Sequence, residues 1–251
     1  MKTMIAFDLD GTLAESKQAI PPEMAERLES LLSVADVAVI SGGDWPQFEK
    51  QVVSQLPATA DLSRLWIMPT TGTKLYRYDG TAWQTIYADV FDAEERKKIA
   101  DALDQVMREK GYDQGQTWGE RIEDRGSQIT FSALGQEAPL SAKKDWDPDF
   151  AKRKLMQVDL VKLLPGLSIN MGGSTSIDIT REGIDKAYGM RRLIEHAGIT
   201  FENILFMGDA IFPGGNDDPV RAAGIDVIKV RDPEDTDIAI RAVVACLKNA
   251  G

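Results

Sequence analysis

The chain has 251 residues, of which 43% are hydrophobic and 27% are charged, and its formal net charge is -11. This excess of acidic side chains argues against nucleic acid or an anionic membrane surface as a partner. The N-terminal apolar run ends at Asp8, no stretch approaches the roughly 18 apolar residues of a membrane span, and the single cysteine, Cys246, excludes an internal disulfide. We therefore expect a cytoplasmic protein of one large domain or two smaller ones.

A short buried strand is predicted at Met4 to Phe7, and the residues Asp8-Leu9-Asp10-Gly11-Thr12 follow it directly. In an extended backbone Asp8 and Asp10 point to the same side, where their like charges repel. A buried site could hold this pair only with a cation or a shared proton, and hard oxygen ligands favour Mg²⁺. The alternative is a strand that simply ends in an Asp-Gly hairpin turn.

The next predicted elements are a helix that begins near Pro22 and a second strand at Val37 to Ile40. Strand, helix and strand in succession are typical of a parallel sheet, which binds ligands at the carboxyl ends of its strands. Because Ser41 and Gly42 follow the second strand, we expect them to lie near Asp8. The alternative is that Ser41 is only a turn residue or a helix N-cap.

The sequence pattern changes after the next predicted strands. The patterns predict helices and antiparallel-looking strands in the following order: a helix at Asp92 to Lys110, a strand within Ile122 to Leu134, a helix from about Asp147 to Leu164, and strands at Leu167 to Met171 and Ser174 to Thr180. This mixture is typical of a separate α+β unit. We therefore predict a cap domain at residues 86–182, inserted into an α/β core formed by residues 1–85 and 183–251.

The signature Asp-x-Asp-Gly-Thr that begins at Asp8 resembles that of the haloacid dehalogenase (HAD) superfamily. The resemblance implies that Asp8 is a nucleophile, which becomes an aspartyl phosphate, and that Asp10 is the general acid and base. It also implies that Ser41 and Lys186 hold the phosphoryl group and that Asp209 binds Mg²⁺ together with the two aspartates. A carboxylate nucleophile divides one difficult phosphoryl transfer into two easier steps.

A cap inserted between the second and third motifs is the arrangement of the type IIB branch of this superfamily. Within that branch, Gly183-Ile184-Asp185-Lys186 and the run from Gly208 to Asp217 are similar to motifs of the eukaryotic-type phosphomannomutases. The resemblance implies an α/β protein with a HAD-like Rossmannoid core, a parallel sheet and a C2B-type α+β cap, which could form a homodimer through its cap. Taken alone, Lys186 could be a surface lysine and the Gly-Gly-Asn-Asp run a polar loop.

The predicted cap departs from the phosphomannomutase pattern at one phosphate-binding position. Ser176 and Asp178 match the family's Ser-x-Asp, and Arg125 matches its first cap arginine. The arginine that ends the family's Ser-x-x-Gly-Arg motif is replaced by Gln136, and Lys143 stands near a third cationic position. Because glutamine lacks the charge and the bidentate geometry of arginine, we expect weaker binding of a second phosphate.

These observations predict a Mg²⁺-dependent phosphatase that hydrolyses a phosphorylated sugar through an aspartyl phosphate. The alternative is a phosphohexomutase of the phosphomannomutase type, in which the same aspartyl phosphate is passed to a sugar. In that case Lys143, or another of the cations Arg121, Lys144 and Arg153, would compensate for the missing arginine. A third alternative is a ligand-binding protein without enzymatic activity on the same fold.

Overall fold

Two β-sheets organise the chain, described here for residues 2–172 and 175–249 of a computed structural model. The strands are β1 (Met4–Asp8), β2 (Asp36–Ile40), β3 (Leu65–Met68), β4 (Lys74–Tyr78), β5 (Trp83–Ala88), β6 (Ile122–Asp124), β7 (Gln128–Ser132), β8 (Leu167–Gly172), β9 (Ser176–Arg181), β10 (Ile204–Gly208) and β11 (Asp226–Lys229). The helices are α1 (Pro22–Leu32), α2 (Trp45–Gln51), α3 (Pro69–Gly72), α4 (Ala93–Lys110), α5 (Leu140–Trp146), α6 (Ala151–Leu163), α7 (Lys186–Ala197), α8 (Asp218–Ala222) and α9 (Pro233–Lys248). Of these, α3 is a single turn whose backbone is not that of a right-handed helix at Thr70 and Thr71. Short 3₁₀ turns occur at Val53–Gln55, Leu62–Arg64 and Phe201–Asn203.

The chain divides into two units, each with its own sheet. We call Met1–Ala88 together with Asp185–Gly251 the core unit, and Asp89–Ile184 the inserted unit. The mostly parallel sheet of one unit and the antiparallel sheet of the other confirm the predicted α/β fold class. Within the described ranges, none of the helices combines the length and the apolar character that crossing a bilayer requires.

The core unit contains a seven-stranded sheet in the order β11-β10-β1-β2-β3-β4-β5. Strands β11 to β3 in this order are parallel, and β4 and β5 extend the sheet as an antiparallel hairpin. Both faces are covered, since Ile5 and Phe7 of β1 pack into a core with α1 and α9, while Met4 and Ala6 pack with α7. This double burial explains why the central strands read as continuous apolar runs.

The inserted unit contains a four-stranded antiparallel sheet in the order β6-β7-β9-β8. Alternate residues of its strands, such as Ile129 and Ile177, pack against the apolar stripes of α4 and α6. The helix predicted from about Asp147 begins instead at Ala151, because its N-cap, Phe150, adopts a left-handed backbone conformation (φ 64°) that interrupts the helix. The start of the predicted strand at Ser174 lies outside the described residues.

Candidate active site

Three predicted site residues meet at the carboxyl edge of the parallel core sheet. Asp8 is the last residue of β1 and lies opposite Ile40, the last residue of β2, so Ser41 comes directly after that pair. On the other side of β1, Phe7 is paired with Met207 of β10, and Asp209 follows that strand by one residue. Parallel sheets bind ligands at this edge, because the loops that leave the strands converge there.

Lys186 reaches this edge from the first residue of α7. The side chain of Asp185 caps that helix by accepting a hydrogen bond from Tyr188 N at 2.7 Å. Lys186 Nζ lies 2.6 Å from Asp8 Oδ1 and 2.5 Å from Asp217 Oδ1, and only 2% of the residue is exposed. Lys186 is therefore not a surface lysine, and its ammonium group joins two carboxylates from different segments.

Asp217 is a member of the site that the sequence analysis did not single out. It is fully buried, and its Oδ2 accepts a hydrogen bond from Ala210 N at 3.0 Å while its Oδ1 accepts one from Lys186. A side chain at Gly208 would collide with the Asp217 carboxylate, so this glycine leaves the room that the carboxylate occupies. The only available signal was the Gly-Gly-Asn-Asp run, whose last residue is Asp217.

The carboxylates of Asp8, Asp209 and Asp217 form an acidic cluster, in which one ligand oxygen from each residue lies within 4.8 Å of the other two. Gly11, with φ at +82°, permits this approach, because a Cβ there would lie 2.7 Å from Asp209 Oδ2. The hydroxyl of Thr12 is buried and accepts a hydrogen bond from Asp209 N at 3.1 Å, which ties the first loop to the last.

The charges of this cluster fit a divalent cation. Among the residues that the structure describes, Lys186 is the cation paired with the cluster, where it contacts Asp8 and Asp217. One cation against three carboxylates leaves negative charge in excess. Burial is the main cause that raises the pKa of Asp8 to about 6, a net shift that Lys186 opposes and the nearby Asp217 supports. Burial disfavours the charged form of Lys186 as well, but Asp8 and Asp217 outweigh it, so the pKa of Lys186 is raised. Carboxylate oxygens are ligands of hard cations such as Mg²⁺.

Asp10, the third predicted metal ligand, lies outside this acidic cluster of the described residues. Its Oδ1 accepts a hydrogen bond from Lys17 N at 2.6 Å, and its Oδ2 accepts one from Gln47 Nε2 at 3.2 Å. Gln47 is itself held, because its Nε2 also donates to Oε1 of the buried Gln51 at 2.9 Å. No pattern in the sequence distinguishes Gln47 from other polar residues of α2, since its contact depends on how that helix packs.

Ser41 and Gly42 form the start of the loop between β2 and α2. Ser41 is buried, and its backbone is fixed by hydrogen bonds from Ser41 N to Met68 O at 3.4 Å and from Thr71 N to Ser41 O at 2.9 Å. The N-cap of α2 is Asp44, which accepts a hydrogen bond from Trp45 N at 2.8 Å. Ser41 therefore does not cap this helix.

The remaining predicted binding residues lie in the inserted unit. Ser176 and Asp178 are on β9, where Asp178 Oδ1 accepts hydrogen bonds from Thr130 Oγ1 at 2.7 Å and Gln128 Nε2 at 3.1 Å. Arg125 makes a two-point ion pair with Glu123, with N–O distances of 3.0 and 2.9 Å.

The other polar groups that were expected to bind phosphate make hydrogen bonds or ion pairs within the inserted unit. The Gln136 amide donates to the carbonyl oxygens of Arg121 at 3.4 Å and Thr130 at 3.3 Å, and Lys143 Nζ donates to Gln136 O at 3.0 Å. Arg153, proposed above as a substitute cation, is fully buried and pairs with Asp147 at 2.8 Å. In this structure the Gln136 side chain therefore stabilises the surrounding backbone of the inserted unit.

Comparisons with known proteins agree with the resemblance. The sequence model of the eukaryotic phosphomannomutase family matches residues 24–246. The chain is 28% identical to the phosphomannomutase of Encephalitozoon cuniculi over 100% of this chain and 95% of that protein. It is 26% identical to human phosphomannomutase 1 over 92% of this chain and 89% of that protein.

Solved structures share the fold at low sequence identity. The IMP-nucleotidase of Plasmodium falciparum superposes with a TM-score of 0.70 at 14% identity, covering 98% of this chain and 69% of that one. A haloacid dehalogenase-like hydrolase from Bacteroides thetaiotaomicron superposes with a TM-score of 0.66 at 16% identity, covering 97% of this chain and 100% of that one. These similarities support the HAD fold. They do not identify the activity, which has to be inferred from the residues of the site.

Proposed function

Since this chain belongs to the eukaryotic phosphomannomutase family, we propose that it is a phosphohexomutase, which moves a phosphoryl group between two positions of a hexose through Asp8. Membership makes it a HAD-type phosphotransferase. The observation that carries the proposal is the position of Asp8, a buried carboxylate that contacts Lys186 inside the acidic cluster. The family relationship favours a sugar over water as the acceptor.

In the first half-reaction, an Asp8 oxygen attacks phosphorus and forms an acyl phosphate while the bond between phosphorus and the sugar oxygen breaks. Asp10 gives the leaving oxygen a proton. In the second half-reaction, the free hydroxyl of a hexose monophosphate attacks the aspartyl phosphate, which forms a hexose bisphosphate and frees Asp8, and Asp10 takes up the proton of that hydroxyl. Transfer of the other phosphoryl group of the bisphosphate back to Asp8 then releases the isomeric monophosphate. The hydrogen bonds from Lys17 N and Gln47 hold the carboxylate that performs both proton transfers.

Lys186 and Ser41 are the groups proposed to hold the transferring phosphoryl. The ammonium group of Lys186 offsets negative charge on the phosphoryl oxygens, and Asp217 keeps it pointed at Asp8. Asp8, Asp209 and Asp217 are the residues that would hold Mg²⁺. When bound, the ion supplies charge neutralisation at the phosphoryl oxygens.

A sugar-phosphate phosphatase is the second candidate. The hydrogen bonds of Gln136 favour it, because they occupy the amide at a position where the family has an arginine. A mutase must bind a bisphosphorylated intermediate, which calls for strong binding of the distal phosphate. The glutamine at this position donates to two backbone carbonyls, and Arg125 is already paired with Glu123. If the distal phosphate is bound weakly, the intermediate leaves and water becomes the acceptor.

An assay with mannose 1-phosphate separates the two candidates. The full chain is incubated with Mg²⁺, with and without a hexose 1,6-bisphosphate, and the products are identified by ³¹P NMR. We expect mannose 6-phosphate, formed only when the bisphosphate is present, and little inorganic phosphate. Inorganic phosphate as the sole product would overturn the mutase proposal in favour of the phosphatase. The Asp8→Asn variant is the control for contaminating activity.

We also propose the Mg²⁺ preference, a cytoplasmic location and a homodimer formed through the inserted unit. The exposed side of α6 supports the dimer, since Leu155, Val158 and Val161 are each more than half exposed there. Sedimentation analysis of the native chain and of Val158→Glu tests it. The native chain should sediment as a dimer and the variant as a monomer, and a native monomer contradicts the proposal.

A further inference from the structure

A strained turn joins β3 to β4. Thr70 (φ 48°, ψ 49°) and Thr71 (φ 60°, ψ 32°) adopt left-handed backbone conformations, and Gly72 follows with φ at +79°. β-Branched residues rarely adopt this conformation, because their Cβ crowds the neighbouring carbonyl. Strain of this kind persists only where the surrounding structure enforces it, and it is common at functional sites.

One side of this turn holds the loop that carries Ser41. Thr71 N donates to Ser41 O at 2.9 Å, and Thr70 N donates to Gly43 O at 2.8 Å. The left-handed run directs two successive N–H groups at carbonyls that lie two residues apart on the same loop. The strained conformation is therefore the one that anchors the Ser41 loop.

A third contact secures the far end of the same loop. Lys74, the first residue of β4, donates from Nζ to both carboxylate oxygens of Asp44 at 2.7 and 2.9 Å. Asp44 also caps α2, so the loop is fixed at its beginning, middle and end by a single stretch of chain.

The other side of the turn touches the helix that carries Lys186. A Cβ on Gly72 would lie 2.5 Å from Gly189 Cα, which is three residues beyond Lys186 in α7. A Cβ on Gly189 would lie 2.5 Å from Ile40 Cδ1 and 3.1 Å from Thr71 O. The two glycines let the backbones of turn and helix approach closely.

We propose that the turn Thr70–Gly72 is a positioning element, which sets the separation between Ser41 and Lys186 by contacting the Ser41 loop on one side and α7 on the other. The proposal rests on the proposed function, because Ser41 and Lys186 receive their phosphoryl-binding roles there. The turn itself performs no chemical step. Its effect is to keep two groups from distant segments at a separation that matches the transferring phosphoryl.

Three variants of the full chain test this: Gly189→Ala, Thr71→Gly and Thr71→Asn. The readouts are kcat and KM for p-nitrophenyl phosphate with Mg²⁺, the Kd for orthovanadate with Mg²⁺, and the Tm. Both probes report on phosphoryl binding and transfer without depending on any sugar. Glycine and asparagine both accept the left-handed conformation, but only asparagine retains a restricted backbone, so Thr71→Asn is the matched control for Thr71→Gly.

We expect Gly189→Ala to lower kcat and weaken orthovanadate binding by about 10- to 100-fold, because a displacement near 1 Å is enough for such losses. Thr71→Gly should lower kcat by about 3- to 10-fold, with a smaller change in KM and a Tm no lower than that of the native protein, since the strain is relieved. Thr71→Asn should keep native kcat and native orthovanadate binding.

Two results would overturn the proposal. In the first, Gly189→Ala and Thr71→Gly fold normally and keep native kcat and Kd. In the second, Thr71→Asn loses as much activity as Thr71→Gly, which would assign the effect to the threonine side chain. If Gly189→Ala fails to fold, the two Thr71 variants still decide the question. Failure of the proposed function has a different signature, since native protein would then leave mannose 1-phosphate unconverted while the variants still differ on p-nitrophenyl phosphate.

Discussion

Each unit of the molecule contains a buried carboxylate paired with a buried cation, and the two pairs behave in opposite ways. In the core unit, Asp8 contacts Lys186 at 2.6 Å, and in the inserted unit Asp147 contacts Arg153 at 2.8 Å. The pKa of Asp8 is raised to about 6, mainly by burial and also by Asp217, against the attraction of Lys186. Burial also acts on Asp147, but the hydrogen bonds from Arg153 and two backbone N–H groups lower its pKa below the usual value.

The difference lies in the balance of charge. Arg153 and Asp147 form a one-to-one pair whose remaining lone pairs accept hydrogen bonds from the backbone of α6. Lys186 is shared between two carboxylates, and a third, that of Asp209, lies beside them. A balanced pair organises its surroundings and needs no further ion. An unbalanced cluster is stabilised by an additional positive charge, which a bound cation would supply.

Removing the nucleophile is the largest expected effect and the most direct test of the unbalanced cluster. Asp8→Asn should lower kcat by about 10⁴-fold or more, because an amide cannot form the acyl phosphate. Turnover of mannose 1-phosphate and trapping of ³²P-labelled protein measure the change, and circular dichroism checks the fold. Near-native turnover in the variant would contradict a covalent route through this residue.

Removing the cation of each pair should have a different effect in the two units: loss of activity for Lys186 and loss of stability for Arg153. Lys186→Met should lower kcat/KM by about 10²- to 10³-fold, because the charge that faces the phosphoryl is lost. Arg153→Met should lower the free energy of unfolding by about 3 to 5 kcal/mol, because it leaves Asp147 buried and uncompensated, and the folded fraction should keep its kcat. Urea denaturation and steady-state kinetics on both variants measure the contrast. If both lose activity in proportion to stability, the distinction between the pairs fails.

The pH dependence of stability should carry opposite signs for the two carboxylates. Folded Asp8 binds its proton more tightly than unfolded Asp8, since the pKa is about 6 rather than 3.8, so the metal-free protein should lose stability as the pH rises from about 4 to about 6. Asp8→Asn removes this loss and should be more stable than native protein at pH 7, by up to about 3 kcal/mol.

The lowered pKa of Asp147 predicts the reverse. Its contribution is present above the usual pKa of an aspartate and is lost as the pH falls through the folded-state value. Asp147→Asn should therefore be less stable than native protein at pH 7 while keeping the native slope between pH 4 and 6. Urea denaturation in EDTA at pH 4.5, 5.5 and 7 compares the three proteins. Equal slopes for native protein and Asp8→Asn would refute the assignment to Asp8.

The sequence was sufficient for the α/β fold class and for the edge at which the site forms. Continuous apolar strands with helices between them require a parallel sheet, and in such a sheet Asp8, Ser41 and Asp209 must emerge at the same edge. Lys186 was predicted as a site residue from its position in a motif, and in the structure its ammonium group contacts Asp8. Spacing along the chain carries this information because the topology is regular.

Other features depend on contacts that spacing does not encode. Asp217 joins the cluster because a glycine at position 208 leaves room for it, and Asp10 turns toward Gln47 because of how α2 packs. The strain at Thr70 and Thr71 contradicts local propensity and exists only because the surrounding loops enforce it. Departures of this kind are expected at functional sites, where local preference yields to geometry.

The position of Asp10 is the next point at which the core site can be perturbed. Gln47→Leu removes the amide donor to Asp10 Oδ2 at nearly constant volume, and we expect kcat to fall about 10-fold, since the acid and base is then less well oriented. Gln55→Leu, at an exposed position in the following turn, is the control and should be silent. Steady-state kinetics on p-nitrophenyl phosphate measure both variants, and equal kcat values would show that Gln47 does not position the carboxylate.

The smallest expected effect concerns the inserted unit, where Arg125 and Arg153 are each paired with a carboxylate in this structure. Gln136→Arg restores the arginine of the phosphomannomutase motif and should raise the ratio of isomerised sugar phosphate to inorganic phosphate several-fold, because a guanidinium binds a second phosphate with a charged, two-point contact. Gln136→Met removes the amide bonds to the carbonyls of Arg121 and Thr130 without adding charge, and so controls for loss of local structure.

Product ratios from ³¹P NMR with mannose 1-phosphate and a hexose bisphosphate measure the three proteins. A higher ratio in Gln136→Arg alone would mean that the charge of this unit decides which acceptor receives the phosphoryl, while the core unit performs the same transfer in every case. An unchanged ratio in Gln136→Arg, with native kcat, would show that acceptor choice does not depend on this position. In that event the ion pair of Arg125 with Glu123 would be purely structural, like the pair of Arg153 with Asp147.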